Sequence, residues 1–255
     1  MMEWWHIGIL FVTALIAGFV DSIAGGGGLL TLPVLLNVCA DPFVAFGTNK
    51  LQASFGSTSA TFHFARGGAL SFREVWRSCL LAFTGALCGT YLVQQVDTHW
   101  IEKVVPLLLI GVALIVWLRP ELGKEETAPR ISRLKFDLFL ALGIGFYDGF
   151  LGPGTGTFLA MAYMLFLGFN MPGATANAKA LNWASNIASL LMYLISGKIL
   201  FAAGIFMGMG QWIGARAGSK MVLKRGTSFI RPIFLTMVLL ITLKLVYKSY
   251  LKPMM

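Results

Sequence analysis

The chain has 255 residues, of which 57% are hydrophobic and only 12% charged, with a formal net charge of +9. Soluble domains carry about 25% charged residues, so an ordinary water-soluble domain is excluded. The basic excess lies in short segments between apolar runs, where the positive-inside rule puts it, and this argues against a nucleic-acid partner. No Asp, Glu, Lys or Arg occurs between Arg77 and Asp97, between Asp148 and Lys179, or between Lys179 and Lys198. Uncharged runs of about 18 residues or more are candidate membrane helices. An all-α polytopic membrane protein in a lipid bilayer follows.

The first apolar run, Trp4–Val20, has no basic leader and no small-residue cleavage site, so it does not read as a signal peptide. It runs into Asp21–Leu30, DSIAGGGGLL. Each glycine disfavours a helix by about 1 kcal/mol relative to Ala, so the four from Gly25 to Gly28 predict a break, with a new half-helix starting near Leu29. After a turn at Pro42, Phe43–Ala65 is long enough to span yet polar, with Asn49, Lys50, Gln52, Ser54, Ser57 and Thr61. Lys50, Ser54, Ser57 and Thr61 share one helical face. A basic loop with Arg66, Arg73 and Arg77 follows, then spans at Leu80–Val96 and Val104–Leu118. The hydrophilic stretch Arg119–Lys135 has five basic and three acidic residues. It divides the chain into a first membrane repeat (4–118), a linker (119–135) and a second repeat (136–250).

The second half echoes the first. GFVDSIAGGGG at Gly18–Gly28 returns as GFYDGFLGPGT at Gly145–Thr155. Asp21 pairs with Asp148, Gly25 with Gly152, Gly27 with Gly154, and Lys50 with Lys179. A second half-helix starts at Thr155–Thr157. Pro172–Leu194 is again polar, with Thr175, Lys179, Asn182, Asn186 and Ser189 along one stripe, and spans follow at Ile199–Ala215 and Pro232–Val246. The basic loops fall at Arg66–Arg77 in the first half and at Arg216–Arg231 in the second. These are opposite loops of the repeat, as in an inverted duplication with an odd number of crossings per half. Both termini are then placed on the same, periplasmic side, although Lys248 and Lys252 weigh against it. The arms around each glycine break either both cross or form a re-entrant hairpin. Leu29–Val38 and Thr157–Gly168 are short, which favours the hairpin.

Ionisable groups at membrane depth are candidates for function. Asp21, Lys50, Asp148 and Lys179 admit two readings: an internal Asp–Lys pairing that locks the halves, or a site where lysines, amides and hydroxyls hold an anion. In the second reading an Asp caps a half-helix or handles a coupling proton. Free amides at a helix N-terminus bind oxyanions, so Gly25, Gly26, Gly27, Gly28, Gly152, Gly154, Thr155 and Gly156 join Asn49, Lys50, Gln52, Ser57, Lys179, Asn182 and Asn186 as candidate substrate contacts. Asp21 and Asp148 are the coupling or pairing groups. No G-K-[ST] follows either glycine run, so a phosphate loop is a poor match. His6 and His99 read as membrane-end residues, and Trp4, Trp5, Trp100 and Trp117 as interfacial anchors. His63, Trp183 and Tyr147 are weaker candidates for lining a pathway. Cys39, Cys79 and Cys88 read as small core residues without metal or redox spacing. No Ser–His–Asp or HExxH pattern is present, so an enzyme, a catalytic residue, a metal and a cofactor are not expected.

DSIAGGGGLLTLP and GTNKLQASFGSTSAT, with GFYDGFLGPGTGTF and ATANAKALNWASNIASLL, resemble the TauE/SafE sulfite exporter family, in particular its YfcA-like subgroup. The resemblance extends over roughly Ile7–Tyr250. The matching motif positions are Asp21, Gly25–Gly28, Asn49, Lys50, Gln52, Asp148, Gly152, Gly154, Lys179 and Asn182. It implies an inner-membrane protein of about eight helices in two related halves, each with a Gly-broken or re-entrant pair. It also implies transport of a sulfur-containing anion, sulfite or an organosulfonate. The reading is a secondary transporter that exports such an anion by alternating access, with a proton or Na+ as possible coupling ion. A passive anion channel and a non-transporting scaffold or assembly factor are the alternatives.

Overall fold

The computed structural model describes residues 4–96 and 122–230, with residues 232, 233 and 236 beyond them. Val104–Leu118, His99, Trp100, Trp117, Lys248 and Lys252 lie outside the described residues. So do the side chains of Trp4, Trp5 and His6, and Pro232–Val246 but for those last three positions.

The regular secondary structure of the described residues is all helical. The order is α1 (Trp4–Ala24), α2 (Gly27–Val38), α3 (Pro42–Arg66), α4 (Phe72–Val93), a one-turn α5 (Arg133–Lys135), the π-helical turn π1 (Phe136–Ala141), α6 (Leu142–Phe150), α7 (Thr155–Leu167), α8 (Met171–Ile195) and α9 (Phe201–Arg225). The two polar helices begin alike. Asp41 caps α3 by accepting from the Phe43 amide at 2.8 Å, and Asn170 caps α8 by accepting from the Gly173 amide at 2.8 Å. Each has a proline in its first turn, where the missing N–H is harmless.

Two apolar runs understate their helices. α4 begins at Phe72 rather than Leu80, and α9 continues to Arg225 rather than Ala215. Arg73, Arg77, Arg216, Lys220 and Lys224 are therefore helical, not loop. Hydropathy marks the apolar length, whereas long basic side chains let the helix continue past it. By contrast, α2 and α7 are short, with 12 and 13 residues. At about 1.5 Å per residue they reach only about 20 Å, well under a hydrocarbon core of roughly 30 Å.

The halves interlock. α9 packs on α1 and α3, α4 packs on α6 and α8, and α3 packs on α8. Glycines permit the close crossings. A Cβ at Gly214 of α9 would collide with the Leu15 carbonyl of α1, and one at Gly85 of α4 with the Leu142 carbonyl of α6. Leu15 and Leu142 stand at the same sequence separation as Asp21 and Asp148, so the two crossings correspond.

By length and hydropathy, no helix among the described residues is long and apolar enough to cross a membrane. The interior carries many polar groups beside its apolar core: Gln52, Ser78, Ser185 and Ser189 are fully buried, and Lys50, Asp148, Lys179 and Gln211 nearly so. The exterior is apolar. Val12 and Ile16 of α1, Leu80 and Tyr91 of α4, and Ile205 and Ile213 of α9 all point outward. Buried charges inside and large apolar side chains outside are unlike a water-soluble domain. Bundles in lipid show this arrangement, because helices gain nothing by hiding apolar side chains from other apolar chains. The cysteines are not uniformly core: Cys88 is exposed on α4, and Cys39 and Cys79 are half-buried.

Candidate functional site

α1 ends at the glycine break. Gly25 and Gly26 both have positive φ, at 77° and 89°, the left-handed region that favours glycine. α2 then starts at Gly27, two residues earlier than its sequence indicates. The cause is Asp21, whose Oδ1 accepts from the Gly27 amide at 3.0 Å and so satisfies one orphan donor of the new helix. In the second half Gly152 and Gly154 have φ of 84° each, and α7 starts at Thr155. Asp148 Oδ1 accepts from Thr155 Oγ1 at 2.8 Å. The two N-caps are Gly26 and Gly154. Gly26 rather than Gly27 is therefore the partner of Gly154, and Pro153 is the extra residue. Tyr147 was a candidate for lining the pathway. Instead its hydroxyl donates to the Pro153 carbonyl at 2.6 Å and fixes the second break.

The two breaks touch. A Cβ on Gly25 would collide with the Thr157 amide nitrogen, and Thr157 Oγ1 donates to the Ala24 carbonyl at 2.8 Å. The lysines then cross between the halves. Lys50 of α3 reaches Asp148, with Nζ 2.9 Å from Oδ1 and 2.7 Å from the backbone carbonyl. Lys179 of α8 reaches Asp21, with Nζ 2.7 Å from Oδ2. Each acid is thus held by the opposite half's base. Asp148 is further held by Ser185 Oγ and, at 3.5 Å, by Asn182 Nδ2.

A cavity of about 40 Å³ lies between the breaks. This is room for about three waters, at about 10–15 Å³ each. Asp21, Gly26, Gly27, Gly28, Asn49, Lys50, Asp148, Gly152, Gly154, Thr155, Gly156, Asn182 and Asn186 line it, all of them expected from sequence. Leu32, Phe46, Phe150, Tyr193 and Gln211 also line it, and the sequence did not point to them. Four expected residues stand behind the wall. Gly25 packs on the other break, and Ser57 donates to the Ala53 carbonyl at 2.8 Å. Gln52 Nε2 donates to Asn49 Oδ1 at 2.8 Å, and Thr31 Oγ1 to the same oxygen at 2.6 Å. These bonds fix the Asn49 carboxamide with Nδ2 beside Gly28. Lys179 is spent on Asp21. Neither Trp183 nor His63 lines the cavity: Trp183 packs edge-on to Phe72, with centroids 6.3 Å apart.

The charges around the cavity are two acids and two bases, each paired. What remains to attract a ligand is the positive end of two helices. Of the first-turn amides of α2 and α7, Gly27 donates to Asp21, Leu29 to the Gly26 carbonyl and Thr155 to the Gly152 carbonyl, and both N-termini carry partial positive charge. Among the described residues no group of His, Cys, Asp and Glu is arranged to hold a metal ion.

An all-helical bundle with buried ion pairs, large apolar side chains outside and a small cavity between two broken helices is the arrangement of a membrane protein. The chain belongs to the sulfite exporter TauE/SafE family, whose model matches residues 10–245. It is 43% identical over 244 residues to the probable membrane transporter protein YfcA of Escherichia coli K12, covering 96% of this chain and 91% of that one. It is 42% identical over 241 residues to a probable membrane transporter protein of Haemophilus influenzae, covering 94% of each. To the probable membrane transporter protein YunE of Bacillus subtilis it is 23% identical over 266 residues. No solved structure matches the chain. The chain is accordingly a membrane transporter, and its relatives are named as transporters rather than enzymes.

Proposed function

We propose that this transporter exports a small sulfur-containing anion, sulfite or an organosulfonate, by alternating access between two inverted repeats, 4–118 and 136–250. One observation carries the reading: the N-termini of α2 and α7 meet at one small cavity with Lys50 in its wall. Two opposed helix N-termini at a helix break form the anion-binding device of discontinuous-helix transporters. The family name supplies the sulfur anion, and the cavity chemistry supports an oxyanion of that size. The long helices cross the bilayer with apolar stripes to lipid and polar stripes to each other, while α2 and α7 reach only part way. The protein lies in the inner membrane with both termini periplasmic. A reporter fused after Met255 that read cytoplasmic would break that orientation. A proton or Na+ is the coupling ion.

The crossed ion pairs also suit a scaffold whose halves stay locked, and a passive channel would share the same donors. Flux separates the three. In proteoliposomes the wild type should move labelled sulfite or sulfonate with saturation, whereas Lys50→Ala should lose the flux. Unsaturable flux would favour the channel. No flux with any sulfur anion would favour the scaffold. Full flux in Lys50→Ala would remove that lysine from the site.

A further inference from the structure

We propose that Gln211 of α9 is a ligand-contacting residue, donating its carboxamide N–H to the anion in the cavity. The inference rests on the anion-transport reading above. Gln211 is 1% exposed, yet its Oε1 has no hydrogen-bond partner among the described residues. Its Nε2 donates to no described group either, although the side chain lines the cavity. A buried amide with nothing to bond is unfavourable, so such a group in a native interior calls for an explanation. Several other polar groups of the wall are engaged. Lys50 is committed to Asp148, Asp21 to Gly27 and Lys179, and the Asn49 carbonyl to Gln52 and Thr31.

The position is built rather than incidental. The Oε1 occupies the space that a Cβ would take on Gly18 of α1, at 2.7 Å, and on Gly56 of α3, at 2.5 Å. Two helices thus leave out side chains where the carboxamide inserts. The other half does not share it. Gly145 stands against Ala82 of α4 as Gly18 stands against Gln211, so Ala82 is the counterpart. The counterpart of Gly56 is Ser185, whose hydroxyl is spent on Asp148. The two-fold cavity therefore has the Gln211 carboxamide on one side with no equivalent on the other. A head group with acceptor oxygens and no donors can satisfy the carboxamide nitrogen, with Oε1 left against Gly18 and Gly56, whereas a cation would leave the nitrogen unpaired. An O/N exchange of the carboxamide would present an acceptor instead, and the ligand's charge decides between the two.

The test is a thermal-shift and calorimetric titration of the full chain in detergent with sulfite, thiosulfate, sulfoacetate and sulfate. It compares wild type with Gln211→Met, which keeps length without a donor, and Gln211→Glu, which keeps shape but adds negative charge. The expected result is anion stabilisation of the wild type, about tenfold weaker affinity in Gln211→Met, and weaker still in Gln211→Glu. The melting temperature of ligand-free Gln211→Met should stay at the wild-type value. Unchanged affinity in both variants, with the wild type binding, overturns the Gln211 assignment and leaves the transport reading standing. A drop in ligand-free melting temperature with affinity intact assigns the residue to packing and likewise overturns it. A wild type that none of the four anions stabilises overturns both.

Discussion

The crossed pair between Lys179 and Asp21 allows a quantitative prediction. Nζ and Oδ2 are 2.7 Å apart, the Lys179 side chain is 1% exposed, and that of Asp21 is 16% exposed. At an effective dielectric of about 20, the Coulomb attraction at this distance is about 6 kcal/mol. Desolvation of both ions offsets much of that, so the pair itself adds little net stability. Removing one partner is different, because it strands the other charge. Lys179→Met should destabilise by about 3–5 kcal/mol, since Asp21 would keep only the Gly27 amide. Asp21→Asn should cost a similar amount by stranding Lys179. The double variant strands nothing and should lie well above the sum of the singles, with a coupling of about 1–3 kcal/mol. At roughly 2–4 °C per kcal/mol for a chain of this size, each single loses on the order of 10 °C. The assay is thermal unfolding of purified protein in one detergent, run as a double-mutant cycle. Additive effects would refute the stranded-charge argument and show that the two groups do not meet.

Two further predictions follow from local geometry. Gly25→Ala combines a φ of 77° with a Cβ on the Thr157 backbone nitrogen, whereas a Cβ at Gly28 meets nothing nearer than Asn49 Nδ2 at 3.4 Å. Gly25→Ala should therefore destabilise by at least about 1–3 kcal/mol and Gly28→Ala should be tolerated, both read as melting temperature; equal effects would refute the contact between the breaks. At the α2–α3 loop, a hydrogen bond from Lys198, with Nζ 2.6 Å from Oδ2, holds the Asp41 carboxyl below its ordinary pKa. A depressed acid stabilises above its unfolded pKa and loses that stabilisation as pH falls through the folded value. The deficit of Lys198→Met, under about 1 kcal/mol for so exposed a pair, should hold at pH 6 and shrink as pH falls below the ordinary Asp pKa; a deficit constant with pH would refute it.

Much of the site was legible in the sequence because it is duplicated. DSIAGGGG and DGFLGPGT each announce an acid, a break and a helix start, and the polar stripes of Lys50 and Lys179 announce an interior face. Four things were not legible. The break shifted by two residues because Asp21 captures the Gly27 amide, a side-chain event that glycine propensity does not record. The reach of α4 and α9 was hidden because basic residues end an apolar window without ending a helix. Gln211 was invisible because its meaning comes from Gly18 and Gly56, glycines on two other helices, and from Ala82 in its counterpart position. The sequence likewise left open which lysine meets which acid, since crossed and uncrossed pairings use the same residues.

The crossed pairing bears directly on transport. Had Lys50 paired with Asp21 and Lys179 with Asp148, each half could move as a unit with its charges satisfied. As they stand, both pairs bridge the halves, at 2.9 Å and 2.7 Å. In the alternating-access reading, rocking one half against the other must open or carry both pairs. An opened pair strands charges at membrane depth, which is strongly unfavourable. An anion between the breaks changes that balance, because it gives Lys50 a substitute for Asp148 as the pair parts. An empty cavity offers no substitute. In the alternating-access reading the pairs form a latch that the anion relieves at Lys50, and ligand-free exchange between the two sides is suppressed by the same pair that faces the ligand.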